Sequence, residues 1–223
     1  VKARGVRPEA ITTIHNGINF EDFQAANGSG LRKALGLEGR TVLGFTGFLR
    51  EWHRLDRIID LIATFGAEDS PHLMVVGEGP AVETCRAQAA TLDIKDRVHF
   101  CGFQPREAIA DHLAAMDIAL QPAVTAYASP LKIFEYMESG LATIAPDQPN
   151  IREILTDNKD GLLFDPASET DLAEKAKRLI EDEPLRKRLG IEAKQTIRRR
   201  GFTWSRNAER VAGIAEAILR DRT

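Results

Sequence analysis

The chain has only two cysteines, Cys85 and Cys101, among its 223 residues. A disulfide framework is therefore excluded. Neither thiol stands at zinc-ligand spacing from another cysteine or histidine, which argues against a structural zinc. Free thiols in a reducing compartment are expected. No apolar run approaches the ~20 residues of a membrane span. The opening VKARGVRPEA has basic residues but no apolar stretch behind them, so no signal peptide is read there. The formal charge of -3 makes no demand for a nucleic-acid partner. The G-x-G-x-x-G fingerprint is missing, which disfavours a dinucleotide oxidoreductase. There is no Asp-x-Asp pair, no repeat and no low-complexity linker. The chain opens on Val1 rather than methionine, which reads as a piece of something longer.

What is present is a globular composition, 43% hydrophobic and 28% charged. Short apolar runs alternate with helical patterns. The runs are 11–15 (ITTIH), 41–48, 72–77, 98–102, 118–122, 141–146 and 162–164. Several are apolar on both faces, as strands of a covered parallel sheet must be. Helical periodicity fills 54–66, 80–92, 105–115 and 130–139. This alternation predicts an α/β fold, a doubly wound parallel sheet of the Rossmann-like kind. From Ser168 onward the pattern is helical only, so the expectation is one domain: an α/β core over about 1–167 and a helical C-terminal tail over 168–223. The tail carries RKRLGIEAKQTIRRR. A solvated helix face is the preferred reading of that run, with attraction to an anionic membrane surface as the alternative.

The stretch from Tyr127 to Gly140, YASPLKIFEYMESG, holds the densest chemistry. Ser129 is a good N-cap, and Pro130 suits the first helical position. Lys132 then falls in the first turn, where the helix dipole already presents positive charge. Free amides, dipole and ammonium together make a phosphate site. Glu135 lies one turn deeper, about 5 Å along the axis. That is roughly the step from a nucleotide's phosphates to its ribose, whose diol a carboxylate can hold. An ordinary capped helix with a polar face competes with this reading on the stretch alone.

Other strand ends contribute to the same edge of such a sheet. Gly47 lets the backbone approach a ligand. Arg50 and His53 follow it, and arginine suits phosphate through its bidentate fork. GEGP (77–80) is a second tight turn. Phe103, after the fourth run, either covers a base or joins the core.

Read together, these blocks resemble the C-terminal, donor-binding domain of the group 1 retaining glycosyltransferases, which have the two-domain GT-B fold. TIHNGINFEDF, GFLREWHRLDRIID, VVGEGP, VHFCGF, SPLKIFEYMESG, DGLLFDP with DLA, and FTW all have counterparts in that order. The resemblance implies a metal-independent hexosyltransferase without cofactor, using a UDP- or GDP-sugar. Arg50, His53 and Lys132 would neutralise the leaving diphosphate, with His53 serving as a cation if protonated. Gly47, Phe103, Ser129, Pro130, Leu131, Lys132 and Glu135 would bind the donor.

The acceptor, an unknown glycan or a lipid-linked one, would bind an N-terminal domain lying ahead of Val1. A cytoplasmic location is implied, with peripheral membrane contact if the basic run touches lipid. Three departures from the family pattern stand out. Tyr127 occupies the place of the first glutamate of a Glu-x7-Glu pattern, His53 and Arg54 replace a Lys-Gly or His-Gly pair, and Gln148, Pro149 and Asn150 replace a glycine-rich turn before Glu153. The alternatives weighed are a nucleotide-sugar epimerase and a non-catalytic nucleotide-binding module.

Overall fold

The computed structural model describes residues 5–66 and 70–220. Six parallel strands form one sheet: β1 (Val42–Thr46), β2 (His72–Val76), β3 (Val98–Gly102), β4 (Ile118–Leu120), β5 (Ala142–Pro146) and β6 (Leu162–Phe164). Their order is β3-β2-β1-β4-β5-β6. The chain winds outward from β1 on one side, then returns to its other side with β4. That reversal leaves a crevice at the carboxyl ends of β1 and β4, the position where doubly wound sheets bind ligands.

The helices are α1 (Ser29–Ala34), α2 (Leu55–Ala63), α3 (Val82–Thr91), α4 (Arg106–Ala114), α5 (Leu131–Glu138), α6 (Pro149–Arg152), α7 (Asp171–Glu181), α8 (Glu183–Arg200) and α9 (Trp204–Arg220). Strand side chains alternate between two cores, as the pleat requires. Leu43, Phe45, Leu73 and Val75 pack with Ile58 and Ile62 of α2 and Leu172 and Leu179 of α7. On the opposite face Val42, Met74 and Ala119 pack with Leu113 of α4 and Tyr136 of α5. Ile133, Phe134 and Met137 of α5 meet Ala193 and Ile197 of α8 nearby. Helices α7 and α8 thus cover the sheet, and only α9 beyond them leaves most of its length exposed. Gly190 is where α8 crosses the turn after α5: a Cβ there would lie 2.0 Å from the Gly140 carbonyl oxygen.

Six of the seven expected strands form. The exception is 11–15, which is not a strand. It finds no sheet edge and runs against the far end of the chain instead. The Ile18 amide donates to the Phe202 carbonyl at 3.1 Å, and Asn207 Nδ2 donates to the His15 carbonyl at 2.7 Å.

The basic run of α8 is largely engaged within the molecule. Arg198 grips the fully buried Glu138 carboxylate, with its shortest contact at 2.5 Å. Arg200 donates to the carbonyls of Ile154 and Glu153. Arg188 donates to the Asn158 carbonyl and Arg186 to that of Leu179. Among the described residues no helix is long and apolar enough to cross a membrane.

Candidate functional site

At the end of β1 the chain turns at Gly47, whose φ is +120°. Its amide donates to the Val76 carbonyl at 2.8 Å, and the Leu49 amide donates to the Glu78 carbonyl at 2.7 Å. The turns after β1 and β2 are thereby laid one on the other. A Cβ on Gly47 would lie 3.0 Å from Lys132 Nζ. The glycine turn and the first turn of α5, 85 positions apart in sequence, are therefore in contact distance at the crevice.

Helix α5 is uncapped. Its N-cap is Pro130 (φ -72°, ψ 109°), and no side chain bonds the first turn. This corrects the expectation that Ser129 caps the helix with Pro130 in its first turn. Proline's own extended geometry takes the cap position one residue later, and the Ser129 hydroxyl is buried without a partner. The amides of Leu131 and Lys132 open the helix with no side-chain oxygen to satisfy them, which leaves a helix N-terminus suited to an anion.

Lys132 Nζ sits 4.1 Å from the centroid of the Phe45 ring, which offers it a cation–π contact. Burial pushes its pKa down from 10.5 to about 8, with Glu135 pulling partly back. The Glu135 carboxyl is pushed up, first by burial, against the attraction of Arg106 and Lys132. Both groups are drawn out of water at one place, a pattern that marks functional sites more often than surface ones.

His53 is buried against the same ring, edge-on at 4.8 Å. Its Nδ1 accepts the Arg50 amide hydrogen at 3.0 Å. Burial, then the Lys132 charge, lower its pKa to about 4. The expectation of His53 as a cation is therefore corrected: it is neutral near neutral pH. Because Nδ1 accepts, the ring proton lies on Nε2, a neutral donor. Arg50 remains exposed, its guanidinium 5.0 Å from the Phe48 ring centroid. Arg54 has φ +53°, a left-handed conformation that glycine adopts without strain, and glycine is what the family pattern carries there.

Phe103 is not a core residue. It is 75% exposed and walls a cleft of about 360 Å³ with Gly47, Phe48, Gly77 and Gln104. Tyr127, where an acid was expected from the family pattern, is 91% exposed.

Sequence reasoning missed Tyr136. Its fully buried hydroxyl accepts the Thr46 amide hydrogen at 3.0 Å and lies 3.4 Å from the Leu120 carbonyl. One phenol thus ties α5 to the ends of both β1 and β4. A tyrosine on the apolar stripe Ile133–Phe134–Met137 was the only local signal. Tyr136→Phe is expected to leave the buried Thr46 N–H unpaired and to cost about 1–3 kcal/mol, checked by urea unfolding. A loss below a few tenths would mean the hydroxyl has no anchoring role.

A family model of glycosyl transferases group 1 matches residues 30–196. The chain belongs to the group 1 glycosyl transferases. This glycosyl transferase chain is 27% identical over 188 residues to N-acetyl-alpha-D-glucosaminyl L-malate synthase of Bacillus anthracis, covering 84% of the chain and 49% of the relative. It is 28% identical over 210 residues to the GDP-mannose-dependent alpha-mannosyltransferase of Mycolicibacterium smegmatis, covering 93% and 52%. It spans about half the length of the curated relatives it matches. Among solved structures, Anabaena HepE in complex with UDP aligns with a TM-score of 0.84 at 22% identity, over 97% of this chain and 60% of that one. The C-terminal domain of a group 1 glycosyl transferase from Francisella tularensis aligns with a TM-score of 0.67 at 21% identity, over 81% of this chain and 96% of that one. These likenesses establish the fold as the Rossmann-like half of GT-B glycosyltransferases.

Proposed function

We propose that this chain is the donor-binding half of a retaining glycosyltransferase, taking a UDP- or GDP-sugar. The observation that carries the reading is Lys132, on an uncapped helix start, set against the Gly47 turn at the sheet's switch point. Departure of a nucleoside diphosphate from the anomeric carbon leaves an oxocarbenium-like sugar and builds negative charge on the diphosphate. The Lys132 ammonium, the Arg50 guanidinium and the amides of Leu131 and Lys132 are donors aimed at that charge. His53 adds a neutral N–H from Nε2. Gly47 gives the ligand close backbone access, Glu135 takes the ribose hydroxyls, and Phe103 with Phe48 flanks the base. In this reading the cations and amides carry the charge that a divalent ion would otherwise balance. The acceptor, a glycan or a lipid-linked one, is held by a second domain of the longer protein, and the chain alone transfers sugar poorly.

Calorimetric titration of UDP, GDP and ADP tests this. One nucleotide is expected to bind, and Glu135→Ala to weaken it by about 1–3 kcal/mol. Binding of none of the three would overturn the reading. A second reading, a non-catalytic nucleotide module, is supported by Tyr127 in place of an acid. It predicts that a donor sugar adds nothing to nucleotide affinity.

A further inference from the structure

The cleft of about 360 Å³ beside the Gly47 turn has two polar side chains in its lining, Glu78 and Gln104. Its other side chains are apolar. Phe48 and Phe103 are the largest of them, and each is more than half exposed, 56% and 75%. Open aromatic faces of that kind hold a flat base by stacking, and stacking alone tolerates any base. Choice among bases must come from the polar groups.

The bonds already made decide what those groups can offer. Gln104 Nε2 donates to the Cys101 carbonyl at 2.7 Å, which leaves Oε1, an acceptor. The Glu78 carboxylate has no hydrogen bond or ion pair among the described residues. Arg86, which borders the next cleft with it, is held elsewhere: its Nε lies 3.5 Å from Glu83 Oε1, and its guanidinium sits 4.6 Å from the Phe100 ring centroid. The backbone donors of the lining glycines are spent as well. The Gly47 amide donates to the Val76 carbonyl and the Gly77 amide to the Gly102 carbonyl, each at 2.8 Å. The cleft is therefore rich in acceptors and poor in donors. Glu78 is also presented on a fixed turn. Gly77 and Gly79 on either side of it have φ of +126° and +152°, and its own carbonyl accepts the Leu49 amide hydrogen at 2.7 Å.

We infer that this cleft selects guanine, so that the donor is a GDP-sugar, with Glu78 as the residue that sets the choice. The inference rests on the donor-binding reading above. The pairing edge of guanine presents N1–H and the 2-amino group side by side. Those two donors match the two oxygens of one carboxylate, a charge-assisted pair of bonds. The N3–H of uracil stands between two carbonyl oxygens, which a carboxylate repels. Adenine sets its amino group beside an unprotonated ring nitrogen, so one carboxylate oxygen meets a lone pair. Gln104 Oε1, a second acceptor, biases the cleft the same way. A base lying against Phe48 and Phe103 keeps water from these bonds, which strengthens them. A site built to hydrogen-bond its ligand rejects an analogue lacking the donor far more strongly than an apolar slot does.

The test is calorimetry with GDP, IDP, UDP and ADP on this chain and on Glu78→Gln. Inosine diphosphate differs from GDP only in lacking the 2-amino group. GDP is expected to bind about tenfold or more tighter than each of the other three, the scale of one hydrogen bond to a charged acceptor. The glutamine amide keeps the size of the side chain but offers one oxygen and no charge. In Glu78→Gln the ratio of GDP to IDP affinity should therefore fall toward one. Glu78 is exposed, so the substitution disturbs no packed core, and matching melting curves check that the variant is folded. A GDP preference unchanged in the variant, or UDP or ADP bound as tightly as GDP, overturns this inference while leaving the nucleotide site standing. Failure of every nucleotide to bind overturns both.

Discussion

Lys132→Met is expected to weaken diphosphate binding and strengthen the fold at once. On the binding side it removes the ammonium from the crevice, a loss of about 2–3 kcal/mol, or roughly 30- to 150-fold in affinity. On the folding side it removes a buried charge. The drop in pKa from 10.5 to about 8 corresponds to about 3 kcal/mol of disfavoured ammonium in the fold. Loss of the contact with the Phe45 ring returns about 1 kcal/mol. A net gain of about 1–2 kcal/mol, a few degrees in Tm for a chain of this size, is the expectation.

The pH dependence follows with a definite sign. A bound diphosphate favours the ammonium and so raises the Lys132 pKa above its free value of about 8. Affinity is then flat below about pH 8 and falls as pH rises through it. Folding runs the other way: between about 8 and 10.5 the unfolded chain holds the proton and the fold does not, so stability rises with pH there and not in the methionine variant. Calorimetry across pH 6–10 with melting curves on both proteins separates these effects. A variant that binds as the parent does would remove Lys132 from the site.

Gly77→Ala should be among the most damaging small substitutions in the crevice. Its φ is +126°, and the new Cβ would lie 2.1 Å from the Gly47 carbonyl oxygen and 2.9 Å from its carbon. Both are backbone atoms that cannot rotate aside. Strain at the left-handed position and the overlap together should cost about 3 kcal/mol or more. The two glycine turns would be pushed apart, so nucleotide affinity should fall as well. Gly36→Ala supplies the comparison, because its φ is +67° with nothing within 4 Å of the added atom. It should cost about 1 kcal/mol and leave binding alone. Equal losses for the two variants in urea unfolding would show that the loop-to-loop contact carries no weight.

How much of this was legible beforehand depended on the range of the physics. Apolar runs and helical spacing are local, and they placed all six strands and helices α2 to α5. The run 11–15 misled because its partners lie at the other end of the chain rather than on a strand: His15 meets the Phe202 ring, and its carbonyl accepts from Asn207. Short α1 and α6 left no periodic trace. At the site, Lys132 and Glu135 could be placed one turn apart from spacing alone. The neutrality of His53 could not, because it depends on burial behind Phe45 and on an amide bond to Nδ1. Ser129 was misread for a narrower reason. Residue type favours serine as a cap, but the backbone of Pro130 decided where the helix begins. Tyr136 was hidden because its two partners are 90 and 16 positions away.

The sheet is two runs of three consecutive strands sewn along a single seam. Between β1 and β2 the ladder runs from Val42–His72 to Thr46–Val76, whereas β1 and β4 register only Leu43 with Ile118 and Gly44 with Ala119. Side chains pin that short seam at both ends. The Asp117 carboxylate accepts the Val42 amide hydrogen at 2.8 Å at one end, and the Tyr136 phenol holds Thr46 at the other. Each half can assemble from neighbours in the chain, but the seam must close a loop of some 75 residues, the slowest kind of contact to form. The crevice is therefore expected to form after each half has paired its own strands. A ligand bridging the Gly47 turn and α5 spans the joint itself, so its binding strengthens the join between the two halves.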